Sequence, residues 1–273
     1  LFSSAIVFMV ISVSSFYSEA QAQSDASIRY CGQWKMEQAF FNAHPEQRAV
    51  AEQANALLEW ETRNFSDANR DELIVIPVVF HVIHYNGPEN ISNEQIYSGI
   101  EVMNRDYRLL NDDSEDIISE FADIAADTEI EFRLAQIDPD GNCHTGINRI
   151  VSPLTYDGGS EVKDLIQWPR NSYLNIWVVN SISLSGSSST GTVLGYAYKP
   201  NPGQSKTYDG IVIRHDRMGR IGTGTSMGRT LTHEAGHYLG LDHPFKGGCF
   251  AGDNCADTPP VLEASYGCNT NAN

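Results

Sequence analysis

At 273 residues the chain is long enough for one sizeable core with a removable segment in front of it. Hydrophobic residues make up 41% and charged residues 19%, which is a globular rather than a disordered balance. The formal net charge of -17 repels phosphate backbones and argues against a nucleic-acid partner; its ordinary meaning is a solvated acidic surface.

Ala5 to Val13, "AIVFMVISV", is an uncharged apolar run too short to cross a bilayer as a helix. Polar residues follow, then Ala20-Gln21-Ala22 in a small-x-small cleavage pattern. Residues 1–22 are therefore expected to be a secretory signal peptide, although no basic region precedes the apolar run. That signal peptide puts the expected location of the chain outside the cell, and no other stretch is long and apolar enough for a membrane span. Export permits disulfides. There are five cysteines, Cys31, Cys143, Cys249, Cys255 and Cys268, an odd total that leaves one thiol free or a partner outside this sequence.

Residues 23–72 are polar, and Pro45 to Arg63 reads as an amphipathic helix. The texture changes at Leu73, where "LIVIPVVFHVIHY" reads as a buried strand rich in β-branched residues. The boundary near Arg70 thus marks the edge of the main domain, expected over residues 73–273. Ser92 and Gln95 have capping-box spacing, and Ile96, Ile100, Met103, Tyr107 and Leu110 follow at helical intervals. Further strands are expected in "EIEFRLAQID" (129–138), "YLNIWVVN" (173–180) and "DGIVIRHD" (209–216). Between the last two, residues 181–198 read as a Ser/Gly loop returning to the core, and residues 229–241 read as a helix. This order predicts an α+β fold with a mixed sheet.

The chemistry sits in "HEAGHYLGLDH", His233 to His243. His233 and His237 are four apart on a helix, so both imidazoles face the same way and can hold one ion. Glu234 can point at a water on that ion. His243 lies six residues past His237, a rotation of about 240° on a continuous helix, which would aim it elsewhere. Gly240 resolves this, because glycine accepts positive φ and can end the helix in a sharp turn. Three neutral imidazoles leave a fourth tetrahedral position open, as in a catalytic zinc site. Zinc there activates water and polarises a carbonyl, with Glu234 as general base and later proton donor to the leaving amine.

This string resembles the metzincins. "IPVVFHVIH", "LNIWVVN", "LGYAY" followed by "DGIVI", and "GGC…GD.C.DTP" after the third histidine narrow the resemblance to the pappalysin family, on its cytophagalysin side, over about residues 73 to 268. The resemblance implies a zincin catalytic domain with a twisted mixed sheet and two long helices. It implies His233, His237 and His243 as zinc ligands and Glu234 as catalytic base. It implies calcium on the segment after His243, where Asp253, Asp257 and Thr258 match, and oxygen ligands on a tight loop suit that ion. It places an extended substrate on the strand "DGIVIRHD", taken as the sheet edge. Arg-x-Cys-Gly around Cys31 is similar to the cysteine switches of metzincin precursors, so Cys31 is expected to cap the open zinc position in a latent form; a disulfide is its alternative. Cys249, Cys255 and Cys268 are expected in loop-stapling disulfides, and Cys143 has no assigned partner.

His81 and His84 fall on opposite faces of their strand and do not converge on one ion. His44, His144 and His215 are isolated and read as solvated. Metzincins carry a methionine turn after the third histidine, and no methionine follows His243. The chain is accordingly expected to be a fragment truncated at both ends, with its C-terminal subdomain cut short. The functional expectation is a secreted zinc endopeptidase acting on protein or peptide substrates and made as a latent precursor. Its alternatives are a matrix-metalloproteinase-like protease and a non-catalytic extracellular metal-binding module.

Overall fold

The computed structural model describes residues 29–64, 72–183, 192–200, 206–246, 252–255, 257–259 and 261–264. The expected signal peptide, Arg70, Cys249 and Cys268 lie outside them. No helix among the described residues is long and apolar enough to cross a membrane.

The polar N-terminal region forms β1 (Arg29–Cys31), α1 (Gln33–Ala43) and α2 (Pro45–Asn64). There follow β2 (Ile74–His84), α3 (Asn93–Tyr107), the single turn α4 (Ser119–Ala122), β3 (Ile130–Leu134) and β4 (Ile147–Val151). A further single turn, α5 (Val162–Leu165), precedes β5 (Leu174–Val179), β6 (Thr192–Ala197), β7 (Ile211–Arg214) and α6 (Thr230–Tyr238). The strands make one mixed sheet in the order β1-β6-β7-β5-β2-β3, with β4 also on β2. β6 runs antiparallel to β7, and the other pairings are parallel. The length of β2 explains its two neighbours: residues 74–78 pair with β3 and residues 80–84 with β4.

Parallel strands buried on both faces read as continuous apolar runs, and all six residues of β5 are buried. One face of the sheet, carrying Phe80, Val82, Ile176 and Ile213, packs on Met103 of α3 and on Leu231 and Ala235 of α6. The other face, with Trp177, Val179, Tyr196 and Val212, receives Met36, Phe40 and Phe41 from α1. The expected N-terminal segment is therefore built into the sheet and its back face.

Three expectations change. The stretch read as a Ser/Gly loop ends in strand β6, because Val193, Tyr196 and Tyr198 find an apolar face that their local sequence does not reveal. The strand expected to be the sheet edge, β7, is interior between β6 and β5; within residues 73–273 the outermost strand is β6, with β1 of the N-terminal segment beyond it. In the capping box, Ser92 does cap α3 by accepting from Gln95 N at 3.2 Å. The Gln95 side chain, however, donates to the carbonyls of His215 and Met218, both at 2.9 Å, and pins the loop before α6.

Candidate active site

α6 is anchored at its start by charge. Arg229 reaches Asp113 at 2.7 Å and Asp106 at 3.2 Å, and Thr232 Oγ1 donates to Asp106 at 2.7 Å. Its end is a Schellman turn: Leu241 N donates to Gly236 O at 3.0 Å and Gly240 N to His237 O at 2.9 Å. Gly240 carries φ of 105°, the bend expected of it.

That bend brings His243 back. The Nε2 atoms of His233, His237 and His243 form a triangle with all three sides 3.1 Å. Ligands about 2.0–2.1 Å from a tetrahedral zinc stand about 3.3–3.4 Å apart, so this set fits that ion closely. His237 Nδ1 lies 2.8 Å from Leu241 O. The carbonyl holds the proton on Nδ1 and leaves the Nε2 lone pair for a metal. Burial lowers the pKa of all three rings, that of His243 to about 4, so they are neutral at physiological pH. His233 keeps an edge toward solvent, and the two facing imidazoles add to the downward pull on it.

Two more groups converge. Cys31 Sγ and the three Nε2 atoms all lie within 4.8 Å of one another. The thiol also donates to Glu234 Oε2 at 3.6 Å. Glu234 is fully buried and its Oε1 has no hydrogen-bond partner. Burial pushes its pKa up to about 8, opposed by the Cys31 thiol and the Ala197 backbone. A buried carboxyl with one unpartnered oxygen thus stands beside three converging nitrogen lone pairs.

Behind the site, Asp242 ties the turn to the edge strand's end. Its Oδ1 accepts from Lys199 Nζ and its Oδ2 from Lys246 Nζ, both at 2.7 Å, and Glu37 of α1 stands 3.7 Å from Lys199. Neither Lys199 nor Asp242 stands out in the sequence, since each acquires meaning only from its partner.

The other candidate residues lie elsewhere. Asp253, Asp257 and Cys255 line a cavity of about 510 Å³ between α2 and the 239–242 turn, and Thr258 N donates to Cys255 O at 3.3 Å. Cys255 is half-buried and Cys143 is exposed, and both thiols are free. His81 is buried between Asn175 and Asn148, which occupy its two ring nitrogens at 2.8 and 3.2 Å. His215, expected in solvent, is buried with Nδ1 3.0 Å from Thr223 Oγ1. A lone histidine carries no local sign of such a partner.

Residues 159–272 match the peptidase M43 family, described as pregnancy-associated plasma protein-A. Over 265 residues the chain is 29% identical to extracellular metalloprotease 1 of Coccidioides posadasii, covering 93% of this chain and 78% of that protein. An extracellular metalloprotease of Verticillium alfalfae is 30% identical over 207 residues, and this chain spans 61% of its length. Among solved structures, mature mirolysin of Tannerella forsythia in complex with a cleaved peptide is 37% identical, with a TM-score of 0.65 over 73% of this chain and 76% of that one. A promirolysin mutant from the same organism is 36% identical, with a TM-score of 0.69 over 85% of this chain and 76% of its own.

Proposed function

Since the chain belongs to the peptidase M43 (pappalysin) family of metzincin zinc metalloproteases, we propose that it is a secreted endopeptidase, made as a latent precursor, in which Glu234 is the general base. The observation that carries this is the triangle of imidazole nitrogens with the orphaned Glu234 oxygen beside it. A purely structural metal site gains nothing from a buried, unpaired carboxyl.

His233, His237 and His243 would hold the zinc, which supplies Lewis acidity to a water and to the scissile carbonyl. Glu234 takes the proton of the attacking water on its carboxylate and returns it to the leaving amine. The substrate lies along β6, the edge strand, and pairs with it by β-augmentation. β1 holds that edge now, with Cys31 opposite Gly195 and Gly32 N donating to Gly195 O at 2.8 Å. Residues 23–72 would thus block the substrate strand while the thiol sits at the open zinc position. The greater share of this chain that aligns with promirolysin than with mature mirolysin, 85% against 73%, supports that assignment. Departure of β1 opens Glu234 to water and relieves part of the burial that keeps it protonated.

Calcium belongs to the same proposal. Asp253 and Asp257 line one cavity, with Thr258 next to Asp257 in sequence, and oxygen donors of this kind suit that ion.

Two tests follow. Glu234→Ala in the activated enzyme is expected to lower casein hydrolysis by about 10²–10⁴-fold with zinc still bound; unchanged turnover would refute the role. Calcium is expected to raise the melting temperature of the full chain, and Asp253→Ala with Asp257→Ala to remove that response. A calcium effect unaltered in the double variant would place the ion elsewhere.

A further inference from the structure

We propose that Gly195 is a positioning residue for Glu234: the missing side chain in the edge strand is what lets the base stand under the substrate's path. This rests on the reading of Glu234 as base.

Gly195 sits at an irregularity of β6. Tyr30 and Cys31 are adjacent in β1, but their partners are Val193 and Gly195, so β6 carries one extra residue between them. Such bulges turn a strand locally and re-aim what it presents, and a glycine inside a strand marks a bulge or a close approach of another group. Here it marks both. A Cβ built on Gly195 would stand 3.0 Å from Glu234 Cγ, 3.1 Å from Glu234 Oε1 and 3.2 Å from Val212 O. The last contact is to backbone that does not give, because Val212 belongs to the neighbouring strand β7, where Tyr196 pairs with it. An added methyl group is wedged between a fixed carbonyl and the side chain of the base, and the side chain is the part that gives.

The geometry explains why the two functions of this strand meet at one residue. The Gly195 carbonyl binds β1 at 2.8 Å and is the group an extended peptide would take over. The Gly195 α-carbon faces Glu234. A side chain at this position would leave the carbonyl available for binding but move the carboxylate that acts on the same peptide. Gly195 therefore governs turnover rather than substrate affinity.

The test is Gly195→Ala in the activated enzyme, read as kcat and KM on one peptide together with zinc content. A shift of a few tenths of an ångström in the base is expected to lower kcat by about tenfold, with KM within about twofold and zinc content unchanged. A kcat within about twofold of the parent, or a loss confined to KM, would overturn the proposal. The second arm adds Gly195→Ala to Glu234→Ala, where the Glu234 side chain no longer occupies the space. There the extra methyl group is expected to leave folding and peptide affinity at the level of Glu234→Ala alone. A double variant that binds peptide more weakly, or fails to fold, would show that the strand and not the base needs the glycine. Retained turnover in Glu234→Ala alone would overturn the base assignment and this inference together.

Discussion

The turn that ends α6 and the strand β6 both serve the same site, but they are positioned by opposite means. From Gly236 to Leu241 the chain fixes itself: the Schellman hydrogen bonds, the positive φ of Gly240 and the His237–Leu241 contact all lie within that short stretch. β6 has almost no local instructions. Its place comes from β7 on one side, β1 on the other, and the apolar face beneath Tyr196 and Tyr198. The difference separates the proposed metal ligation from the proposed substrate placement; the two regions meet where Gly195 stands against Glu234 and at the Lys199–Asp242 tie.

The separation can be broken at several depths. The largest effect is expected from Tyr196→Ala, which removes a fully buried ring from under the edge strand. It should cost about 3–5 kcal/mol of folding stability in a denaturant titration. The protein that remains folded should keep its full zinc content, and loss of zinc in proportion to activity would deny that the two regions are separable. Next comes Lys199→Met, which cuts the tie between them. Asp242 keeps Lys246, so the loss should be limited to about 2 kcal/mol in thermal unfolding. Gly240→Ala strikes the self-fixed turn instead. Holding a non-glycine residue at that φ costs about 1–2 kcal/mol, so zinc affinity in a competition titration should fall about tenfold. An unchanged affinity would show that the turn does not set the third ligand.

The smallest effect is a control in the sheet away from both regions, at His81 of β2. Burial depresses the pKa of His81 to about 4, against a hydrogen bond to Asn175 that raises it. The unfolded chain binds a proton at this residue below about pH 6.5 and the native chain does not. Stability contributed by neutral His81 is thus present above pH 6.5 and declines as pH falls toward 4. Between pH 7 and 5.5 the loss should be about 1 kcal/mol, absent in His81→Gln, by urea titration.

The same contrast accounts for what was legible in the sequence. The histidine spacing and the glycine bend obey short-range rules, so the convergence of His233, His237 and His243 around the Gly240 turn, with Glu234 beside them, could be expected from the string alone. Strand β5 and the second half of β2 were legible because they are buried on both faces and read as mostly apolar, β-branched runs. Which strand closes the sheet was not legible. Strand order depends on pairings as distant as Tyr30 with Val193, and nothing local distinguishes β7 from an edge. Gly195 and Lys199 were missed for that reason, and so were the buried partners of His215 and Gln95. The glycine in "VLGYAY", flanked by large apolar residues, was the one local sign that something approaches that strand closely.

The most direct measurement is X-ray absorption at the zinc edge on the full chain before and after removal of the segment ahead of Leu73. The account predicts three nitrogen ligands in both states, with one sulfur ligand before removal and none after it. Fewer than three nitrogens in either state, or a precursor spectrum without sulfur, would contradict it.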